Sequence, residues 1–443
     1  MSNDLTRGSI TGGIARFALP YMLSYFLQVL YGLADLFVIG RYCDIDSTTA
    51  VANGAQVMYM LNVVMIALSM GTTVNIAKAF GARDGEAVGR YVGNTLTLFF
   101  SLAVFAMGIL LAMRNNIVAA IDTPDVAREG ATDYLTVCFI GVPFIVIYNV
   151  MASIFRGLGD TKHPLYFVAI ACCANIGLDF LFIGRMGMGP HGAALATTLS
   201  QAASAGVAAI YLRRHSGMAS LRLGHLHPDR KTVSAILRTG IPVALQDGFI
   251  QLSFMVIMVI ANGRGVTDAA AVGIVEKFIG ILFIVPSAML ATVAAIAAQN
   301  IGAGRQDRAR ATLKATMRIS VTFGIAIAIA IQFAPEAAVG IFTHDEAVIG
   351  MGAGYLRGYV WDCVLAGVHF CFSGYFTACG MPFISFAHNF AAIVTARLPL
   401  AYAASEMFPD TLLPMGLATV AGSLESALIC VGVYMWLRRR GRI

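Results

Sequence analysis

The chain has 443 residues, of which 58% are hydrophobic and 12% are charged, whereas roughly 25% of residues are charged in an average soluble domain. This composition excludes an ordinary soluble globular protein. The net charge of +6 does not indicate a nucleic-acid partner, because the basic residues are dispersed over short loops. At about 20 residues for each membrane helix and about 15 for each connection, the length accommodates roughly twelve spans.

Twelve apolar runs, each bounded by Gly, Pro or charge, follow one another along the chain. They lie near residues 14–40, 51–79, 91–113, 131–155, 164–184, 191–212, 236–261, 269–299, 312–333, 347–378, 382–404 and 414–437. With both termini on one side, 22 of the 30 Lys and Arg lie in or beside segments of that side, and five lie on the other. The positive-inside rule therefore predicts a multi-pass protein of the cytoplasmic (inner) membrane with both termini in the cytoplasm.

An internal repeat divides the spans into two sets of six. A shift of about 221 residues aligns Arg16 with Arg238, Pro20 with Pro242, Tyr134 with Tyr355 and Gly159 with Gly380. We predict an all-α fold with an N-terminal six-helix lobe over 1–212, a cytoplasmic linker over 213–234 and a C-terminal six-helix lobe over 235–443. Because six is even, both lobes enter the membrane from the same side, and a pseudo-two-fold axis along the membrane normal is expected. This is the plan of parallel-repeat transporters that work by alternating access.

The common signatures of enzymes and nucleotide-binding proteins are absent from the sequence. It contains no GxxxxGK[ST], HExxH or GxSxG motif, and its eight cysteines form no CxxC pair. The sequence thus predicts no nucleotide partner, no enzymatic activity and no cofactor.

Two carboxylates lie within the spans of the first half. Asp35 is in span one and Asp179 in span five, with Asn175 one helical turn before Asp179. No Lys or Arg lies deep in the first six spans. A buried acid without a cationic partner must take up a proton or hold a cation, so we predict that the N-terminal lobe carries a cation site.

The role of the acids in the second half has two interpretations, because these acids share the membrane zone with Lys277, Arg357 and Arg397. Either coupling to a cation or structural ion pairing accounts for them, and we expect Asp362 to pair with Arg397. Helical spacing places Asp362 and His369 on one polar stripe, and Asp247 and Gln251 on another. The candidates for substrate binding or secondary coupling are Tyr21, Tyr25, Gln28, Asp247, Gln251, Glu276, Asp362 and His369.

Short motifs along the whole chain resemble those of the multidrug and toxic compound extrusion (MATE) family. They include LPYMLSYFLQVLYGLADLFVIGR in span one, FRGLGDTKHP after span four, NIGLDFLFI in span five, GAALAT in span six, VGIVEKF in span eight, AQNIGAGR after it and SGYFTACG in span ten. The resemblance implies an exporter that exchanges Na⁺ or H⁺ for organic compounds. The cation-site residues of one family branch map by motif onto Asp35, Asn149, Asn175, Asp179 and Thr197, whereas another branch has acids in spans seven and ten, which Asp247 and Asp362 match approximately.

We expect a Na⁺- or H⁺-coupled antiporter in the lipid bilayer that exports small organic, cationic or neutral amphipathic compounds. The alternative is a lipid-linked oligosaccharide flippase of similar two-lobe build. A pyrophosphate-bearing substrate of such a flippase requires Arg or Lys side chains at its binding site. The membrane segments hold six acids and three bases, which favours a cationic or neutral substrate.

Overall fold

Sixteen α-helices make up most of the part of the chain that the computed structural model describes, residues 4–121, 123–215 and 222–443. In chain order they are α1 (Ile10–Tyr42), α2 (Ile45–Gly81), α3 (Gly85–Ala120), α4 (Asp125–Gly157), α5 (Lys162–Asp179), α6 (Gly189–His215), α7 (Arg230–Arg264), α8 (Val266–Leu282), α9 (Ile284–Gly302), α10 (Gln306–Phe333), α11 (Pro335–Gly340), α12 (Glu346–Tyr359), α13 (Asp362–Ala378), α14 (Pro382–Ala392), α15 (Leu398–Met407) and α16 (Leu413–Arg439). Two π-helical turns, Phe180–Arg185 and Ile393–Arg397, follow α5 and α14, and a 3₁₀ turn covers Leu223–Leu226. The prediction of an all-α protein is confirmed.

Eleven helical segments within these residues are long and apolar enough to cross a membrane. The remaining predicted span, span ten over 347–378, is divided into α12 and α13 by a break at Val360 and Trp361. Span eight is divided in the same way, because α8 ends and α9 begins on either side of Phe283. Helices satisfy their own backbone groups in lipid, so such breaks occur only where protein or a polar cavity replaces the lost hydrogen bonds.

The first compact unit comprises Leu19–Gly240. In it, α4 packs against α2, α3 and α6. The start of α7 and the segment before it belong to this unit: the Asn94 amide donates to the His225 carbonyl at 3.1 Å and accepts from the Asp229 backbone N–H at 2.6 Å. The predicted linker 213–234 is thus hydrogen-bonded to α3 in its described part, while its residues 216–221 lie outside the described residues.

The second compact unit comprises Asp4–Ala18 together with Ile241–Ile443. In it, α13 packs against α9, α10 and α16, and α12 packs against α8 and α16. The N-terminal segment is held by side chains of the α9 and α10 region, since Gln299 accepts from the Leu5 N–H at 3.2 Å and Arg305 donates to the Thr6 carbonyl at 2.8 Å. The boundaries between the two units fall inside α1 and α7, and each of these long helices contains a proline near the boundary, Pro20 in α1 and Pro242 in α7.

Large apolar side chains cover much of the exposed surface of both units. Phe37 and Phe105 in the first unit are 69% and 67% exposed, and Val259 in the second is 68% exposed. Patches of this kind are not tolerated in water over such an area, but they match the hydrocarbon interior of a bilayer. The apolar surface therefore supports a membrane location independently of helix length.

A glycine contact between α13 and α9 gives a test of the packing of the second unit. A Cβ atom at Gly374 would lie 2.3 Å from the Leu290 carbonyl oxygen. Because backbone cannot yield locally, Gly374→Ala should destabilise the protein by about 1–3 kcal/mol, seen as a lower melting temperature of detergent-purified protein. Gly432→Ala is the matched control, since nothing lies within 4 Å of its Cβ position; a melting temperature equally low in both variants would contradict this packing.

Candidate functional site

The two carboxylates of the first half meet inside the first unit. Asp35 of α1 is 6% exposed and Asp179 at the end of α5 is 0% exposed. Their side chains adjoin one another, and Asn175 of α5 and Thr197 of α6 complete the group. The Thr197 hydroxyl donates to Asp35 Oδ2 at 3.3 Å. Four of the five residues predicted for the cation site are thus brought together by three helices.

Most polar atoms of this group have no protein partner. Among the described residues, Asp35 Oδ1, both carboxylate oxygens of Asp179 and both amide atoms of Asn175 are buried without a hydrogen bond. A buried polar atom left unsatisfied costs about 1–3 kcal/mol. Four of these five atoms are oxygens, and their shared location is the arrangement that a small cation or a proton stabilises.

The backbone around Asp179 explains how the group is assembled. Asp179 is the last residue of α5, and the chain widens there into the π turn Phe180–Arg185. π turns inside helices are uncommon and occur often at functional sites. Gly187 and Gly189 follow with φ of +66° and +55°, a left-handed conformation that glycine adopts without strain. This tight connection lets α6 return beside α5, so that Thr197 reaches Asp35.

The carboxylate pair cannot be stable with two uncompensated charges. Two like charges about 4 Å apart repel by about 4 kcal/mol at an effective dielectric constant of about 20, before the cost of removing them from water. The described residues contain no cluster of three or more His, Cys, Asp or Glu side chains that could hold a metal ion. The donor set of two carboxylates, an amide and a hydroxyl suits a proton or a hard monovalent cation better than a transition metal.

Asn149, the fifth residue predicted for the cation site, does not hydrogen-bond to the carboxylate pair. Its amide donates to Asn62 Oδ1 at 2.7 Å and to the Ile145 carbonyl at 3.0 Å. It lines a small cavity that also contains three candidate substrate residues, Tyr21, Tyr25 and Gln28. The cavity volume of about 20 Å³ has room for about one water molecule, so an organic substrate does not fit it in this conformation.

Arg156 adds a positive charge to this cavity. Its guanidinium carbon lies 5.4 Å from the centre of the Tyr21 ring, and its side chain lines the cavity. This contact is a cation–π interaction between α4 and α1.

The candidate residues of the second half lie in three places. Glu276 and Asp362 lie in one group with Tyr355, Tyr359 and Arg397. His369, 4% exposed, lies farther along α13, where its ring centre is 6.0 Å from that of His388.

Asp247 and Gln251 lie along α7. Both are half-buried, and neither makes a hydrogen bond or ion pair with another described residue.

The expected pairing of Asp362 with Arg397 is not a direct ion pair. Among the described residues, no carboxylate oxygen lies within 4.0 Å of the Arg397 guanidinium. Arg397 donates instead to the Tyr359 hydroxyl at 3.1 Å, and its guanidinium carbon lies 4.7 Å from the centre of the Phe254 ring. Arg357 pairs with Glu336 at 3.0 Å, so it is not the partner of a buried acid.

Three residues that the sequence did not single out adjoin the carboxylate pair. Tyr31 lies one turn before Asp35 on α1, and Tyr134 and Cys138 of α4 lie within electrostatic range of Asp35. Tyr31 could have been found from its i, i+4 relation to Asp35. The residues of α4 carry no local signal, because only the packing of α4 against its neighbours brings them to the site.

The sequence model of the MatE family matches the chain twice, over residues 20–181 and 242–403. The second match begins 222 residues after the first, in agreement with the repeat offset read from the sequence. The chain is 24% identical to "Probable multidrug resistance protein YoeA" of Bacillus subtilis, an alignment that covers 99% of this chain and 96% of that protein. It is 27% identical to "Probable multidrug resistance protein NorM" of Thermotoga maritima over 92% of this chain and 88% of that protein.

Solved structures give the same fold. The crystal structure of a MATE protein in complex with MaL6 superimposes with a TM-score of 0.90 at 23% identity, covering 99% of this chain and 98% of that chain. A MOP superfamily transporter from Pyrococcus furiosus gives a TM-score of 0.89, also at 23% identity, over 99% of this chain and 97% of that chain.

The all-helical fold, its duplicated halves and its buried acids define a polytopic membrane transporter. Both halves match the family model, so the chain belongs to the MatE family, and it is a transporter and not an enzyme. The prediction of the family from the motifs is confirmed, and with it the prediction of twelve spans in two six-helix halves.

The unpartnered carboxylates predict an effect on stability. At alkaline pH and without Na⁺, Asp179→Asn should raise the free energy of unfolding by about 1–3 kcal/mol, because it removes one of two repelling buried charges. The measurement is the melting temperature in detergent. Glu129→Gln is the control, since Glu129 is an exposed acid of the same unit and its replacement should change nothing. A melting temperature lowered by Asp179→Asn under these conditions would show that the carboxylate is already compensated.

Proposed function

We propose that the protein is an antiporter that couples export of small organic compounds to inward movement of Na⁺ or H⁺. The observation that carries this proposal is the buried pair of Asp35 and Asp179, because three of its four carboxylate oxygens lack hydrogen-bond partners among the described residues. Such a pair requires a positive charge from outside the protein. A transporter that must bind a cation in one state and release it in another uses a site of this kind.

The residues of the site have separate roles in this proposal. Asp35 and Asp179 supply the charge that attracts the ion, and Thr197 orients Asp35 by its hydrogen bond. The Asn175 amide oxygen is a neutral ligand for Na⁺, and its N–H₂ group is a donor to a carboxylate when the pair holds a proton. Asn149 hydrogen-bonds elsewhere, so its role is to connect α4 to α2 and not to hold the ion.

Binding and release of the ion are linked to the two conformations of alternating access. An ion that binds one conformation more tightly than the other shifts their populations by its differential affinity. With the cation bound, the repulsion within the pair is removed and α1, α5 and α6 pack together. After its release to the cytoplasm the pair repels, which favours the other conformation. Opposed binding of ion and substrate then makes the exchange obligatory.

The substrates are small organic molecules, cationic or neutral and amphipathic. The relatives described above are named as multidrug resistance proteins, and acids outnumber bases in the membrane segments. A lipid-linked oligosaccharide flippase is not favoured, because no cluster of buried Lys or Arg that could hold a pyrophosphate lies within the described residues.

The transport test uses proteoliposomes that contain a fluorescent organic cation such as ethidium. Opposing Na⁺ and pH gradients are imposed separately, and efflux is measured. We expect one of the two gradients to drive efflux in the wild-type protein and in Glu129→Gln. Asp35→Asn and Asp179→Asn should abolish gradient-driven efflux, because Asn preserves volume and removes the charge.

Thr197→Ala and Asn175→Ala should reduce coupling less than the two Asp variants, since each removes a neutral ligand or hydrogen bond worth about 1 kcal/mol. Efflux that neither gradient drives would overturn the antiporter proposal. Near-normal coupling in both Asp variants would overturn the assignment of the site while leaving antiport intact.

The proposed orientation places both termini in the cytoplasm of a cell with the protein in its cytoplasmic membrane. A green fluorescent protein fused after Ile443 should fluoresce in intact cells, because it folds only on the cytoplasmic side. Alkaline phosphatase inserted after Asp410, in the loop between α15 and α16, should be active, because that loop faces outward. If the fluorescent protein fusion did not fluoresce and the phosphatase insertion were inactive, the proposed orientation would be wrong.

A further inference from the structure

The repeat offset places a basic residue of the second half where the first half has Asn175. The two family matches are displaced by 222 residues, and this shift takes Asn175 to Arg397 and Thr197 to Thr419. The same shift takes Gly54 to Glu276. Asn175 and Thr197 thus have polar counterparts in the second half, but the carboxylates of the two halves lie at different places in the repeat, because the shift takes Asp35 to Ile257 and Asp179 to Ala401.

Arg397 is built into the interior of the second unit. It is 8% exposed and ends the π turn Ile393–Arg397, whereas Asp179 directly precedes the π turn of the first half. Its guanidinium donates to Tyr359 and stacks on Phe254. A Cβ atom at Gly422 would lie 2.8 Å from the Arg397 Cβ, so α16 approaches the Arg397 backbone closely and holds the residue in place.

Two carboxylates share this interior with Arg397. Glu276 of α8 and Asp362 at the start of α13 both lie within electrostatic range of its guanidinium, at more than 4.0 Å. Glu276 Oε1, Asp362 Oδ1 and Arg397 Nε are buried, and none has a hydrogen-bond partner among the described residues. Asp362 is 1% exposed. The guanidinium therefore acts on both acids through space, without contacting either of them.

The charge balance of the two halves differs by one permanent cation. The group in the first half has two carboxylates and no base, so its positive charge must come from outside. The group in the second half has two carboxylates and an arginine, which does not lose its proton in proteins. An arginine cannot diffuse away, so the second group never exchanges its cation.

We propose that Arg397 is the resident cation of the group that it forms with Glu276 and Asp362, that it serves this group as a coupling ion serves Asp35 and Asp179, and that it prevents Na⁺ or H⁺ from binding there. This inference rests on the proposed function for the role of Asp35 and Asp179 as the ion site, and it adds a separate claim about Glu276, Asp362 and Arg397. Because this group is permanently filled, it adds no exchangeable ion to the one held by Asp35 and Asp179. Arg397 is then a specificity-determining residue that excludes Na⁺ or H⁺ from the group of Glu276 and Asp362.

The test is a gain of cation binding by the second half. The parent is Asp179→Asn, in which the first site is disabled, and the test variant is Asp179→Asn with Arg397→Asn. Binding of radioactive Na⁺ is measured on detergent-purified protein at alkaline pH, and the melting temperature is compared between alkaline and mildly acidic pH to detect proton uptake. We expect the test variant to gain about one bound cation per transporter, as Na⁺ or as a proton.

Two further variants isolate the charge of Arg397. Arg397→Lys in the same parent keeps the tethered charge and should gain no cation. Arg357→Asn should also gain none, because Arg357 pairs with Glu336 at a side-chain exposure of 43% and leaves that acid in contact with solvent. A gain in Arg397→Lys equal to that in Arg397→Asn would overturn the proposal, as would a folded Arg397→Asn variant without any gain.

If Arg397→Asn does not fold, the charge-balanced variant Arg397→Asn with Glu276→Gln replaces it. The proposal expects this variant to recover folded protein, because one acid is removed together with the base. Failure of that rescue would mean that Arg397 is needed for packing and not for its charge, and would contradict the proposal. Failure of the proposed function would give a different result. In that case the wild type and the Asp179→Asn parent would bind the same amounts of Na⁺ and of protons.

Discussion

Two carboxylates buried side by side without a base are the constraint on which this account depends. Asp35 and Asp179 lie in the interior of the first unit, and the only hydrogen bond to them from the described side chains comes from Thr197. Their repulsion and desolvation cost several kcal/mol, which is comparable to the net stability of a protein. A single proton or monovalent cation removes this cost. Binding of such an ion is therefore able to shift the balance between two conformations of the helices that carry the pair.

The same fold solves the charge problem differently in its two halves. The first half leaves its acids without a cation, and the second supplies Arg397 within range of Glu276 and Asp362. In both halves, irregular backbone lies next to the charges: a π turn follows Asp179, another ends at Arg397, and a helix break precedes Asp362. Regular helices in lipid have no backbone groups to offer, so these irregular turns lie where polar groups must be accommodated.

Much of this could be predicted from the sequence, because hydropathy acts over whole spans and charge bias over whole loops. Both give the twelve runs and their order without any knowledge of packing. The place of Asp35 and Asp179 within spans and the i, i+4 relation of Asn175 to Asp179 are likewise local, and the motifs add Thr197. The break between α12 and α13 was not foreseen, since no proline marks Val360 or Trp361.

Long-range packing accounts for what the sequence did not predict. Asn149 has the residue type of a cation ligand, but its partner is Asn62 of α2, which no spacing rule indicates. Tyr134 and Cys138 reach the acid pair only because α4 packs at the centre of the first unit. Asp362 and Arg397 were expected to pair directly, but Tyr359 and Phe254 hold the guanidinium away from the carboxylate.

The most direct measurement of the central claim is the number of cations displaced when substrate binds. Ethidium is added to purified, weakly buffered transporter, and the release of protons and of bound radioactive Na⁺ is measured in the same sample. Wild-type protein should release about one cation, as Na⁺ or as a proton, and the Asp35→Asn/Asp179→Asn double variant should release none. Equal release from the two proteins would contradict the coupling role of the buried pair, because the displaced charge would then come from other groups.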